Sequence, residues 1–220
     1  MPRESAARRK QRTAKIIAAL RRTYPDAHCE LDYQTPLQLL VATILSAQCS
    51  DRQVNVVTKQ LFAKYRTVGD YASASPDVFQ DDIRSIGLFR NKTKSILGAA
   101  KAIVEDFGGE VPRTLAELIT LPGVARKTAN VVLGNAFDTT EGIVVDTHVL
   151  RLANRLKLTT YDKAAHSQKV EQDLMTLVPK RHWTMFAHWL IFHGRRVCSA
   201  RKPDCANCVI AKLCPSCSRQ

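Results

Sequence analysis

No stretch of this sequence is apolar over the roughly 18 to 20 residues that a bilayer-spanning helix needs, and the opening Met-Pro-Arg-Glu-Ser has no apolar core of the kind a secretion signal carries. No membrane partner is therefore expected, and the chain is expected to be cytoplasmic. Strand signals are nearly missing too; the one strand-like piece is the Gly-Ile-Val-Val run at residues 142–145. There is no internal repeat and no low-complexity linker. With 45% hydrophobic and 24% charged residues over 220 positions, neither a disordered tail nor a disulfide miniprotein fits. One sizeable domain, or two small ones sharing a core, does.

Acidic residues are in short supply, 20 against 33 Lys plus Arg, for a net charge of +13. A field of that sign concentrates polyanions, and nucleic acid is the first partner it implies. The excess is unevenly placed. Residues 1–27 hold eight basic and two acidic side chains and residues 180–220 hold eight and one, whereas residues 28–179 hold 17 of each. The charge lies at the two ends, and the basic residues of segment 1–10 are expected to strengthen binding to a polyanion.

Seven cysteines are present. Cys29 and Cys49 stand alone, while Cys198, Cys205, Cys208, Cys214 and Cys217 crowd the last 23 residues. An odd number without a signal peptide points away from a disulfide framework and toward a metal site.

Helix signals recur along the whole chain. Ile16, Ile17 and Leu20 share one face of a basic helix over 13–24. Thr35, Pro36 and Gln38 form a start signal for the apolar run Leu39 to Leu45, and Ser50 or Asp51 caps a helix through Tyr65. Ser75 and Pro76 start another that stops before Gly87, and residues 91–107 form a helix halted by Gly108 and Gly109. Thr114 and Glu117 read as a capping box for a short helix ending at Leu121-Pro122-Gly123, after which Arg126 to Gly134 is helical again. Asp146 caps a helix through Leu158, and two more cover 163–178 and 182–193.

A helix, a tight Pro-Gly turn and a second helix over about 114–135 leave the first backbone N–H groups of that second helix pointing outward. With the helix dipole they make a phosphate site that is indifferent to base sequence. An ordinary αα-hairpin has the same outline, but the string Leu121-Pro122-Gly123-Val124-Ala125-Arg126-Lys127-Thr128-Ala129-Asn130 closely resembles the helix-hairpin-helix motif of the endonuclease III family of DNA glycosylases. The resemblance continues, in the family's order, through Leu45-Ser46-Ala47-Gln48, Ile86-Gly87-Leu88, Gly109-Glu110-Val111-Pro112, Val145-Asp146-Thr147-His148 and the terminal cysteines, from about residue 10 onward.

The resemblance implies an all-α, two-domain helix-hairpin-helix DNA glycosylase fold with a C-terminal iron–sulfur cluster loop. Residues 28–139 would form a helical barrel domain containing the hairpin, and 1–27 plus 140–220 a cluster domain. It implies a bifunctional DNA glycosylase and AP lyase of base excision repair. Such an enzyme removes oxidised pyrimidines of the thymine glycol type and nicks the abasic site, as a monomer on double-stranded DNA at the bacterial nucleoid.

Lys127 matches the family's catalytic lysine. To attack the deoxyribose C1′ an amine must be unprotonated, which is rare at neutral pH for a group with a pKa of about 10.4; the helix start and Arg126 beside it supply positive potential that favours the neutral form. Asp146 matches the family's catalytic aspartate, and a carboxylate there can stabilise positive charge on the sugar or help deprotonate the lysine. Asp before Thr-His-Val-Leu-Arg is equally a good N-cap. Gln48 and Leu88 resemble the residues that fill the hole left by an extruded base and wedge the stack. Gly123, Ala125 and Arg126 of the hairpin, His148, and Arg201 and Lys202 of the Cys-rich loop are candidate DNA contacts. The hairpin of the family has a second glycine where this chain has Ala125, which leaves phosphate affinity through the hairpin open.

The spacing Cys198-x6-Cys205-x2-Cys208-x5-Cys214 is that of the family's 4Fe-4S cluster, with Cys217 a spare. As residues alone, Cys205 and Cys208 with Cys214 and Cys217 also make two Cys-x2-Cys pairs suited to zinc, though the five-residue spacer is short against the usual ~15 to 20. Two other functions remain open: an adenine-mismatch glycosylase, a branch that lacks the hairpin lysine and carries a further C-terminal domain, and a non-catalytic iron–sulfur DNA-binding protein.

Overall fold

The chain folds through caps that its polar residues supply. In the computed structural model, which describes residues 4–217, Ser5, Thr35, Ser50, Thr67, Thr114 and Asp146 each accept a backbone N–H of the first helical turn. Such a bond is worth about 1 kcal/mol to a helix. Residues 1–3, the start of the basic segment 1–10 and of the expected cluster domain, and residues 218–220, its end, lie outside the described range.

The helices in order are α1 (Ala6–Thr23), α2 (Pro36–Leu45), α3 (Asp51–Lys64), α4 (Val68–Ala72), α5 (Pro76–Asp82), α6 (Phe89–Asp106), α7 (Leu115–Leu118), α8 (Arg126–Ala136), α9 (Thr147–Arg155), α10 (Ser167–Leu177) and α11 (Trp183–Arg196). Single 3-10 turns occur at Ala164–His166, Lys180–His182 and Ala211–Leu213. The fold is all-helical: no strand is present among the described residues, and no helix among them is long and apolar enough to cross a membrane.

Sequence expectations change at several places, the first being α1, which starts at Ala6 behind the Ser5 cap rather than at residue 13. The β-branched run at 143–145 is not a strand; Ile143, Val144 and Val145 are buried in a connecting segment. A ladder needs a second strand, and the described chain has none. Helix α4 has no counterpart in the sequence reading, yet it carries a full reciprocal capping box between Thr67 and Asp70. Around α7 the reciprocity takes another form: the Thr114 hydroxyl donates to Glu117 Oε2 at 2.7 Å, and Glu141 Oε1 accepts the Leu115 N–H at 3.0 Å.

Two compact units form, one of Glu30–Glu141 and one of Met1–Cys29 with Gly142–Gln220. In the first, the apolar helix α2, buried from Leu39 to Leu45, packs on α3, α6 and α8, while α4 and α5 lie against α6 and α7 against α8. In the second, α9 packs on α11 and α10, and α1 on α11, α10 and the turn at Ala211–Leu213. Leucines and isoleucines such as Leu39, Leu40 and Ile103, or Ile16, Leu20 and Leu190, are fully buried, each contributing about 1.5–3 kcal/mol of transfer free energy.

Not all of the amino-terminal charge is offered to solvent. Arg12 donates to the carbonyls of Leu156 at 2.8 Å and Leu213 at 3.2 Å and grips Glu4 with two bonds of 2.7 and 2.8 Å. That hydrogen-bonded grip holds the Glu4 carboxyl below its ordinary pKa. Arg8 and Lys10 are exposed.

Candidate functional site

Helix α6 is the platform of the Glu30–Glu141 unit. Its N-cap, Leu88, is in the left-handed region at φ 60 and stands 54% exposed after Gly87. At its far end Gly108 and Gly109 take φ 60 and 85, a left-handed stop that few other residues adopt, and the Gly109 N–H reaches back to the Ile103 carbonyl at 2.9 Å. Midway, Ser95 and Gly98 meet the hairpin turn. A Cβ added to Gly98 would lie 3.3 Å from Pro122, and one added to Gly123 would lie 2.3 Å from Ser95 Cβ.

Gly123 also has φ +75, so an L side chain there meets both backbone strain and a clash. Gly123→Ala is expected to destabilise the protein by about 2–4 kcal/mol and lower the thermal midpoint by about 5–10 °C. An unchanged midpoint in a calorimetric scan would contradict the tight approach to Ser95.

Past that turn, α8 starts at Arg126 behind an N-cap, Ala125, with φ −86 and ψ 167 and no side-chain cap. Ala125 is therefore in extended backbone open to any residue, and its methyl costs no strain. The first-turn N–H groups of a helix point outward past its start, and the Ala125 side chain has no oxygen with which to cap those of α8. Arg126 is half-buried. Lys127 is exposed and its side chain makes no hydrogen bond or ion pair with a described residue. Behind it, Ala129, Asn130, Val132 and Leu133 are buried, so the helix that carries the exposed amine is anchored in the core.

Gln48 occupies the turn after α2, exposed and left-handed at φ 55. Within the same unit, Lys92 of α6 is 4% exposed. Its ammonium donates to the carbonyls of Leu45 at 2.8 Å and Ala47 at 2.6 Å, immediately before Gln48. Burial pushes the Lys92 pKa down, with Cys49 nearby acting weakly the other way.

In the other unit Asp146 caps α9, its Oδ1 accepting the Val149 N–H at 2.7 Å. The side chain is half-buried, and its second oxygen is not used by that bond. His148 Nδ1 is 3.1 Å from Arg151 Nη2, against Gly194, where a Cβ would come within 2.9 Å of the ring. That packing gives His148 a structural task whatever else it touches.

Helix α9 also reaches the cysteine loop. Arg151 donates to the carbonyls of Gly194 and Cys198 at 3.0 and 3.1 Å; Arg155 donates to Ser199 and Ala200 carbonyls at 2.7 Å each and to Cys198 Sγ at 3.1 Å. Cys198, Cys205, Cys208, Cys214 and Cys217 line one cavity of about 50 Å³. Among the described residues no three His, Cys, Asp or Glu side chains form a group that could hold a single metal ion. Burial pushes the Cys208 thiol up to about 11 and the Cys214 thiol up as well. His193, whose own pKa burial lowers to about 4, bridges Tyr24 OH at 2.8 Å and Cys208 Sγ at 3.4 Å. Arg201 and Lys202 are exposed in the loop.

Lys92, Arg151 and Arg155 are absent from the sequence-level candidates. Lys92 had a signal, since it falls on the α6 stripe of Thr93, Ile96, Ala99, Ala100 and Ile103, where a charge is out of place. The two arginines share a helix face at i and i+4, which by itself is an ordinary solvated pattern.

A model of the HhH-GPD superfamily of base excision DNA repair proteins matches residues 41–180. Endonuclease III of Synechocystis sp. is 54% identical over 96% of this chain and 94% of its own length. Among solved structures, a non-covalent endonuclease III–DNA complex and a trapped endonuclease III–DNA covalent intermediate each superpose with a TM-score of 0.88 at 44% identity over 94% of this chain, covering 95% and 96% of those chains.

Proposed function

The chain belongs to the endonuclease III family within the HhH-GPD superfamily of base excision DNA repair proteins, and from that premise we propose how its own residues carry the reaction. It is a bifunctional DNA glycosylase and AP lyase acting on DNA. The substrates we assign are oxidised pyrimidines of the thymine glycol type and abasic sites in duplex DNA, met by a monomer in the cytoplasm. The adenine-mismatch reading is disfavoured by the amine at position 127.

The observation that carries the mechanism is Lys127: an exposed amine with no side-chain partner among the described residues, in the first turn of α8, directly after the Gly123 turn. Phosphate oxygens accept from the first-turn N–H groups of α8, with Arg126 adding charge, and this sets the backbone without reading sequence. The damaged nucleotide leaves the stack at a cost of a few kcal/mol, least for a damaged base; Leu88 enters the step and Gln48 faces the orphaned partner. The neutral Lys127 Nζ then attacks C1′. The glycosidic bond breaks, and the base departs with its electron pair and takes up a proton. Loss of a proton from nitrogen and opening of the sugar give an imine, which acidifies C2′; removal of that proton expels the 3′ oxygen by β-elimination. The Asp146 carboxylate stabilises the positive charge that develops on the sugar.

Cys198, Cys205, Cys208 and Cys214 are the residues we assign to a 4Fe-4S cluster. The donor set fits: soft thiols gathered around one cavity, which as thiolates would ligate the irons of such a cluster. Bound there, the cluster would cross-link the loop that carries Arg201 and Lys202 and so would order it.

Incubation of the protein with a duplex bearing one thymine glycol tests the reading. Base release with strand cleavage is expected; activity confined to an adenine mismatch, or binding alone, would favour one of the two rivals. Metal analysis of the same preparation should give about four irons per chain and broad absorbance near about 400 nm, and stoichiometric zinc without iron would overturn the cluster.

A further inference from the structure

Gln48 and Leu88 share an unusual backbone. Both are non-glycine residues in the left-handed region, at φ 55 and φ 60, where the Cβ of an L side chain crowds the backbone. Such conformations persist only where neighbours enforce them. The Lys92 side chain ties the first of these turns to the helix that begins at the second. Its ammonium bonds the carbonyls of Leu45 and Ala47 on the approach to Gln48, while its backbone N–H makes only the ordinary first helical bond of α6, to the carbonyl of the N-cap Leu88 at 3.0 Å.

A lysine at this place is costly. It is buried on the apolar stripe of α6, and a buried ammonium is tolerated only when its protons are taken up. Two of them go to carbonyls at the C-terminus of α2 and just beyond it, the end of a helix that favours positive charge. A methionine would fill the same volume without that burden, but it would leave the Leu45 and Ala47 carbonyls without the donor that draws the turn against α6. A second tie runs beside the first, Gln53 Nε2 donating to Ser85 Oγ at 3.2 Å, and joins the start of α3 to the loop that leads to Leu88.

We propose that Lys92 is a positioning residue for base extrusion, locking the Gln48 turn and the Leu88 turn into one preformed wedge. The proposal rests on the reading of Gln48 and Leu88 as the residues that enter the duplex. Lys92 touches no substrate atom. It acts by holding two strained turns in register, so that the wedge enters the helix without first being ordered, and the binding energy of the duplex goes into unstacking.

The test compares the full-length protein with Lys92→Met and with Gln48→Ala/Leu88→Ala on two substrates. One is a duplex with thymine glycol beside 2-aminopurine; the other is a single-stranded abasic oligonucleotide, which needs no extrusion. Lys92→Met is expected to lower the ratio of duplex base excision to single-strand cleavage by about 10-fold or more, and to reduce the 2-aminopurine fluorescence rise by a similar proportion. In the Gln48→Ala/Leu88→Ala background the same substitution should change the ratio by less than about 2-fold, because residues that act as a unit are not additive. A parallel fall on both substrates, or an unchanged ratio, would overturn the role of Lys92. If Gln48→Ala/Leu88→Ala keeps the wild-type ratio, the reading of those two residues fails on its own, without Lys92 being touched, and the proposal falls with it. Should Lys92→Met not fold, Lys92→Gln is judged by the same ratio, since its amide keeps one donor for the same carbonyls; a drop of about 3-fold or more is then expected.

Discussion

Lys127→Gln abolishes the covalent adduct that borohydride forms with lesion DNA and lowers strand cleavage by at least about 1,000-fold. The effect is large because glutamine keeps length and polarity but has no nucleophilic nitrogen, so no imine exists to be reduced. It is also clean. Lys127 is exposed and its side chain bonds no described residue, and a substitution of that kind shifts stability by no more than about 0.5 kcal/mol. Binding to duplex should survive with a salt slope reduced by at most about one. Lys127→Arg should fail equally, since a guanidinium does not deprotonate in a protein. Wild-type trapping by Lys127→Gln would show that the attacking amine lies elsewhere.

Asp146→Asn is expected to lower base excision by about 100- to 1,000-fold while leaving the fold intact. The two roles of Asp146 separate here. As an N-cap it needs only an oxygen for the Val149 N–H, and asparagine supplies one with comparable strength. As a stabiliser of sugar cation it needs the negative charge, which asparagine lacks. A melting temperature near wild type with collapsed turnover is the predicted pair of results. Asp146→Ala should lose turnover and about 1 kcal/mol of stability besides. Full activity of the asparagine variant would reduce Asp146 to a cap.

Much of the helical frame was legible because its boundaries are chemical. Ser, Thr and Asp at the helix starts and paired glycines after α6 are read directly from residue type. The short α4 was missed because five residues carry too little periodicity, although Thr67 and Asp70 held the capping signal. Residues 143–145 read as a strand because buried connecting chain and buried strand demand the same β-branched side chains; only the absence of a partner strand separates them. Around the site, the string from Leu121 to Asn130 located the hairpin, and Gly123 marked the position where α6 leaves no room for a side chain. The left-handed turns at Gln48 and Leu88 were not legible, since neither residue favours that backbone on its own. They depend on contacts between segments more than 40 positions apart, of which Lys92 to Leu45 is one. The grip of Arg151 and Arg155 on the loop of Cys198 is long-range in the same way.

The central claim is that Lys127 forms a covalent imine with the deoxyribose. Its most direct test is peptide mapping by mass spectrometry of the wild-type protein reduced with borohydride on a thymine glycol duplex. A single adduct on the peptide containing Lys127, at that nitrogen, is the predicted result. An adduct on the N-terminal amine or another lysine, or strand cleavage with no adduct at all, would contradict it.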